Sequence, residues 1–202
     1  MKLLTVAIYL AHLNPVTKAH VEIIEELKKE NQVVIMPVVF IREKEINTKS
    51  FPFGFELRKK MIHAIFGDSV SVLPNYTFYA PFIRYLPPLL SPSSWKIKKQ
   101  ILNGLSDKYF TYTGDKAEGI VLGLYGLNPK VGVRKTISAS SVKEKMFEAI
   151  LGKDTDWESY VPPEVVKIIH ENLDVVKKYS NVKDLTYRIF GMKFPKHGFW
   201  QK

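Results

Sequence analysis

The chain has 202 residues, 46% of them hydrophobic and 25% charged, the balance of an ordinary globular domain long enough to bury a core. It contains no cysteine, which excludes disulfide scaffolds, thiolate metal sites and cysteine nucleophiles. Lys and Arg number 30 against 20 Asp and Glu, and the net charge of +10 fits anionic partners (nucleotides, nucleic acid or a membrane surface) without choosing among them.

Leu3 to Leu10 is an apolar run of strand length, rich enough for a strand buried on both faces. It superficially resembles a signal peptide, but the run is short, one lysine precedes it and no small-residue cleavage site follows. A loop with Asn14-Pro15 leads to a helix from about Thr17, carrying Val21, Ile24 and Leu27 at helical spacing. Gln32 to Phe40 reads as a second buried strand, weakened near its end by Pro37, and Arg42 to Ser50 as a charged loop. Phe53 to Phe66 reads as a helix ended by Gly67-Asp68, and Ser69 to Leu73 as a third strand. This alternation predicts parallel βαβ units with right-handed crossovers.

Residues 74–106 break the rhythm with Pro and aromatics and read as an insertion, with a helix around Ser94 to Leu102. Strand Tyr109–Thr113, helix Asp115–Leu124, strand Lys130–Arg134, helix Ser138–Leu151 and helix Pro162–Tyr179 follow. The tail after Ser180 is basic and aromatic. No stretch approaches about 18 apolar residues, so no membrane span is expected and a cytoplasmic location is the default. The positive residues are spread along the chain, so nucleic acid is not the favoured partner.

The first loop carries the strongest chemical signal. His12, Asn14, Thr17 and His20 lie between a buried strand and a helix, where α/β sheets bind ligands. Thr17 stands at the N-cap and His20 three residues on, beside free helix N–H groups that attract phosphate oxygens. A capping Thr with a structural His is the plain alternative. Ser138, Ser140 and Ser141 open a later helix with Lys143 close behind, so hydroxyls, N–H groups and an ammonium converge on one anion. A well-capped helix with a solvated lysine is the alternative there. Asp115 follows Gly114 and could simply cap its helix. Arg58 could form an ion pair with a nearby carboxylate, and Arg134 could be a solvated strand-end charge. Tyr79, Tyr85 and Trp95 of the insertion read as a satellite core or as stacking partners for a base, and His63, His170 and His197 have no partner at metal-ligand spacing.

The loop Asn14-Pro15-Val16-Thr17-Lys18-Ala19-His20 resembles the (H/T)xGH motif of the nucleotidyltransferase superfamily of α/β phosphodiesterases. Pro52 to Ile62 resembles the family's PFxxxER-x-x-MI segment, with Arg58 at the Arg position. Thr113-Gly114-Asp115 resembles its GxD step, and Ile137 to Lys143 its second signature, ISxTxxR. Trp157 to Pro162 resembles a segment of the NMN adenylyltransferases. Ala11 and Ala19 stand where many members have Gly, and Lys143 where they have Arg, which keeps the charge and loses the bidentate fork.

The resemblance implies a Rossmann-like α/β fold, a parallel sheet with helices on both faces and a C-terminal helical segment. It implies one nucleotidyltransferase domain over 1–180, interrupted at about 74–106, followed by a basic aromatic tail over 181–202. The implied reaction transfers AMP from ATP, with Mg²⁺, to a phosphorylated acceptor such as NMN or nicotinate mononucleotide, releasing pyrophosphate. His20, Thr17 and Lys143 would be catalytic. His12, Asn14, Asp115, Ser138, Ser140, Arg134 and Arg58 would bind nucleotide, with no protein metal cage. Homo-oligomers are common in the family. The alternatives are another acceptor or CTP, or a catalytically weak nucleotide- or RNA-binding protein on the same fold.

Overall fold

The computed structural model describes residues 5–88, 90–133, 138–189 and 191–200. A five-stranded, wholly parallel sheet forms its centre, in the order β4-β2-β1-β6-β7. These strands are β1 (Thr5–Ala11), β2 (Asn31–Pro37), β4 (Ser71–Val72), β6 (Tyr109–Thr113) and β7 (Pro129–Val131). The chain steps outward from β1 through β2 to β4, then returns to pair β6 against the other side of β1. That reversal between β1 and β6 opens a crevice beyond their carboxyl ends, the Rossmann-like arrangement that the resemblance implies.

The pleat of the central strands sorts their side chains into two cores. Ala7, Tyr9, Val33 and Ile35 point to one face, packed by α1 (Lys18–Lys28), α2 (Phe55–Phe66), α5 (Ala139–Ile150), α6 (Pro163–Glu171) and α7 (Leu173–Ser180). Val6, Ile8, Leu10, Val34 and Met36 point to the other, packed by α3 (Pro92–Leu102) and α4 (Lys116–Leu124). Burial on both sides explains why β1 and β2 are almost uninterrupted apolar runs. No helix among the described residues is long and apolar enough to cross a membrane.

The second core is rich in aromatics. Phe40 meets Phe78, Phe82 and Phe194 with ring centroids 5.2–5.6 Å apart, stacked on the first and edge-on to the other two, arrangements that aromatic quadrupoles favour. Phe40 and Phe78 belong to a small parallel pair, β3 (Val39–Ile41) with β5 (Thr77–Tyr79). Phe194 belongs to an antiparallel hairpin, β8 (Thr186–Ile189) with β9 (Met192–Pro195). Residues of the expected tail therefore fold back into the core, and Phe194 and Phe199 are fully buried.

Several elements differ from the sequence expectation. The strand expected over Gln32 to Phe40 is two strands in different sheets, because the backbone turns away after Pro37 and the Val38 N–H donates to the Ala11 carbonyl at 3.0 Å. The helix expected over Pro162 to Tyr179 breaks at Asn172, whose φ of −128° and ψ of 36° lie off the helical region. The third strand shrinks to β4 behind a short 3₁₀ turn at Gly67–Ser69. Arg134, the end of another expected strand, lies outside the described residues.

Candidate functional site

The loop after β1 is pinned from three directions. The Asn14 side-chain amide donates to the Phe53 carbonyl at 2.7 Å, and its oxygen accepts the Phe53 N–H at 3.1 Å. Arg58, from α2, donates to the carbonyls of His12 and Val38 at 2.9 Å each and pairs with Glu45 at 3.3 Å. Lys143, from α5, donates to the Asn14 carbonyl at 2.7 Å. A sharp loop next to a buried strand cannot send these groups to water, so side chains supply the partners. Leu13 takes a positive φ of 49° within this turn.

Thr17 and His20 form a reciprocal cap on α1. The Thr17 N–H donates to His20 Nδ1 at 3.0 Å, and the Thr17 hydroxyl lies 3.1 Å from the same nitrogen. Thr17 is fully buried. Because Nδ1 accepts, the proton of a neutral His20 ring sits on Nε2. Desolvation, then the Lys143 charge, lowers the His20 pKa to about 4, so the ring is a neutral donor at pH 7.

A cleft of about 250 Å³ opens where β1 and β6 end. His12 and His20 line it from the first loop, Thr113, Gly114 and Asp115 from the end of β6, and Ser138, Ala139, Ser140 and Lys143 from the start of α5. Ser138 caps α5 by accepting the Ser141 N–H at 3.1 Å. Ala139 and Ser140 fall in the first turn, whose N–H groups have no intrahelical acceptor. Buried Lys143 has its pKa lowered to about 7, by desolvation first and then by Lys193. His12 stacks on Phe51 at 5.6 Å and 15°, its Nδ1 is buried without a hydrogen-bond partner among the described residues, and desolvation lowers its pKa to about 3.

The structure thus brings His12, His20, Asp115, Ser138, Ser140 and Lys143 to one cleft. Asn14, Thr17 and Arg58 stand behind its wall, engaged in holding the loop. Asp115 caps α4, accepting the N–H groups of Ala117 and Glu118 at 2.8 and 3.1 Å. Arg134 falls outside the described residues. Tyr79, Tyr85 and Trp95 do not line the cleft.

Solved structures of NMN adenylyltransferases share this fold. A bifunctional NMN adenylyltransferase/ADP ribose pyrophosphatase from Francisella tularensis superposes with a TM-score of 0.63 at 15% identity, covering 88% of this chain and 52% of that one. The same protein complexed with AMP and a manganese ion gives 0.60 at 14% identity, with the same coverage. A Vibrio parahaemolyticus structure assigned as a nicotinate-nucleotide adenylyltransferase gives 0.52 at 12% identity, covering 85% of this chain and 95% of that one. The chain spans about half the length of the Francisella protein. No family model matches the chain, and no curated protein matches it in sequence.

Two charged cleft residues escape the sequence reading. Glu118, in the first turn of α4, accepts the Thr113 hydroxyl at 2.6 Å. Burial raises its pKa to about 7, with the Thr113 bond opposing and Asp115 adding. An acid three residues after a capping Asp looks like ordinary helix chemistry, so nothing local marks it. Lys193 enters from β9, where one lysine in a short strand carries no signal.

Proposed function

We propose that the protein transfers AMP from ATP to a mononucleotide phosphate such as NMN or nicotinate mononucleotide. The observation that carries this is the convergence of neutral His20, the ammonium of Lys143 and the first turn of α5 on one cleft at the sheet's reversal point. An oxygen of the acceptor phosphate attacks the α-phosphorus, the bond to the bridging oxygen breaks, and pyrophosphate leaves with that oxygen. No protein nucleophile is needed, only alignment and stabilisation of growing phosphate charge.

His20 Nε2–H is positioned to donate to the reacting phosphate, oriented by the Thr17 N–H on Nδ1. Thr17 is then a positioning residue, as are Asn14 and Arg58, which fix the loop. Lys143 and the Ser138 and Ser140 hydroxyls hold the leaving phosphates, His12 supplies a further ring nitrogen, and Asp115 meets the sugar or base. Among the described residues no three His, Asp or Glu side chains group as a metal cage. Mg²⁺ would enter as part of the substrate, carried on the triphosphate, and would neutralise its charge.

The test joins binding to turnover. ATP with Mg²⁺ raises the melting temperature as its concentration rises, and pyrophosphate is released when NMN or nicotinate mononucleotide is added. His20→Ala stays folded and loses more than about tenfold in turnover, on the order of 1.4 kcal/mol. A melting temperature unmoved by millimolar ATP or CTP, or full turnover in folded His20→Ala, removes the proposal.

A further inference from the structure

The C-terminal hairpin reaches the cleft from the aromatic face of the sheet. Phe194 and Met192 anchor it in the second core. Its turn docks on the first turn of α4: Gly191 has a φ of +79°, and a Cβ there would lie 2.7 Å from the Ala117 Cβ. Only glycine fits that approach. With Met192 facing the core, the alternation of β9 turns Lys193 the other way, and Gly191, Met192 and Lys193 all line the cleft.

Lys193 is held there by a relay. Its ammonium donates to the Ser50 hydroxyl at 2.7 Å, and that hydroxyl donates to Asp184 Oδ2 at 2.6 Å. Asp184 also accepts the Ser50 N–H at 3.2 Å and the Thr186 hydroxyl at 3.0 Å. Three other donors thus occupy the carboxylate, which pairs with the lysine only at 3.9 Å, an ion pair without a direct hydrogen bond. An ammonium has three donors, and Ser50 takes one. Lys143 likewise spends one on the Asn14 carbonyl.

The cleft therefore has two poles. Lys143 and Lys193 with Ser50 form one, close enough that Lys193 depresses the ionisation of Lys143. Asp115 and Glu118 form the other. The carboxylates stand together at the start of α4, Glu118 on the Thr113 hydroxyl at the end of β6, whereas the lysines enter from α5 and β9. A nucleotide matches this polarity, phosphates at one end and hydroxyl or amino donors at the other.

We propose that Lys193, carried by the C-terminal hairpin, binds the polyphosphate tail of the nucleotide jointly with Lys143, so that the hairpin is a wall of the nucleotide site. Two point charges on separate elements then supply a two-sided phosphate grip that a single lysine lacks. The proposal rests on the nucleotide reading for its ligand but not for its anion site.

Calorimetry with ATP, inorganic tripolyphosphate and AMP on the wild type, Lys193→Ala and Lys193→Arg tests it. Lys193→Ala weakens ATP and tripolyphosphate by at least about tenfold, the effect of one charge-assisted contact, changes AMP binding by less than about twofold, and Lys193→Arg restores most of the loss. Unchanged ATP and tripolyphosphate binding in Lys193→Ala overturns the proposal and leaves adenylyl transfer standing. An equal loss for AMP also overturns it, by showing that the lysine merely holds the hairpin. Wild-type protein that binds tripolyphosphate but not ATP removes the adenylyl-transfer reading, and a tenfold loss in Lys193→Ala would then still establish the anion site.

Discussion

The two faces of the sheet are built differently and meet at the cleft. On one face, α1, α2, α5, α6 and α7 lay aliphatic stripes such as Ile23, Ile24 and Leu27 against β1 and β2. On the other, Phe40, Phe78, Phe82 and Phe194 assemble from three segments far apart in the chain. The helical face delivers Lys143 and the aromatic face delivers Lys193. Elements that pack by helical period are specified locally, whereas an aromatic cluster exists only once its distant segments have met.

The largest effect expected from this difference is at Phe194, which is fully buried against three other rings. Phe194→Ala should cost roughly 3–5 kcal/mol in stability, the range for deleting a buried aromatic, measured by urea unfolding. A loss under about 1 kcal/mol would mean that the hairpin is an appendage, and the contrast between the faces would fail at its strongest point.

Next is Lys143, on the helical face. Lys143→Ala should reduce ATP affinity at least about tenfold, a charge-assisted contact being worth roughly 1.5–3 kcal/mol, while Lys143→Arg keeps or improves it. The pH dependence follows from a pKa lowered to about 7. Below pH 7 the free protein presents an ammonium; above it, binding an anion must first recharge the amine, so ATP affinity falls as pH rises. For folding the sign is opposite: between pH 7 and the ordinary lysine value of 10.5 the unfolded chain holds more protons, so this residue's contribution to stability rises with pH. Calorimetry from pH 6 to 9 checks the affinity, and a slope that persists unchanged in Lys143→Arg would exclude Lys143 as its source.

The smallest effect sharpens the comparison at the start of α5. Ser138→Ala removes the cap on the Ser141 N–H and should cost about 1 kcal/mol in stability. If Ser138 also holds phosphate, ATP affinity falls beyond what thermal destabilisation alone explains. Unaltered ATP affinity in the destabilised variant would confine Ser138 to capping.

Sequence alone determined a good deal of this protein. The apolar runs of β1 and β2, the helical spacing on α1 and the caps at Thr17, Asp115 and Ser138 are signals spanning a few residues, and such signals survive without knowledge of the rest of the chain. They foretold the parallel sheet and located the end of β1 and the start of α5, from which His20 and Lys143 line one cleft. The tertiary structure decided the use of charges that look alike in sequence. Arg58 stands in a motif-like segment and Lys193 in surroundings without signal, yet Arg58 is buried beneath a loop that needs its donors, whereas Lys193 is swung into the cleft by a hairpin 143 residues away from the serine it bonds. Whether a cation is spent on carbonyls or left facing a ligand depends on which distant backbone groups the fold leaves without partners, and a linear sequence does not state that.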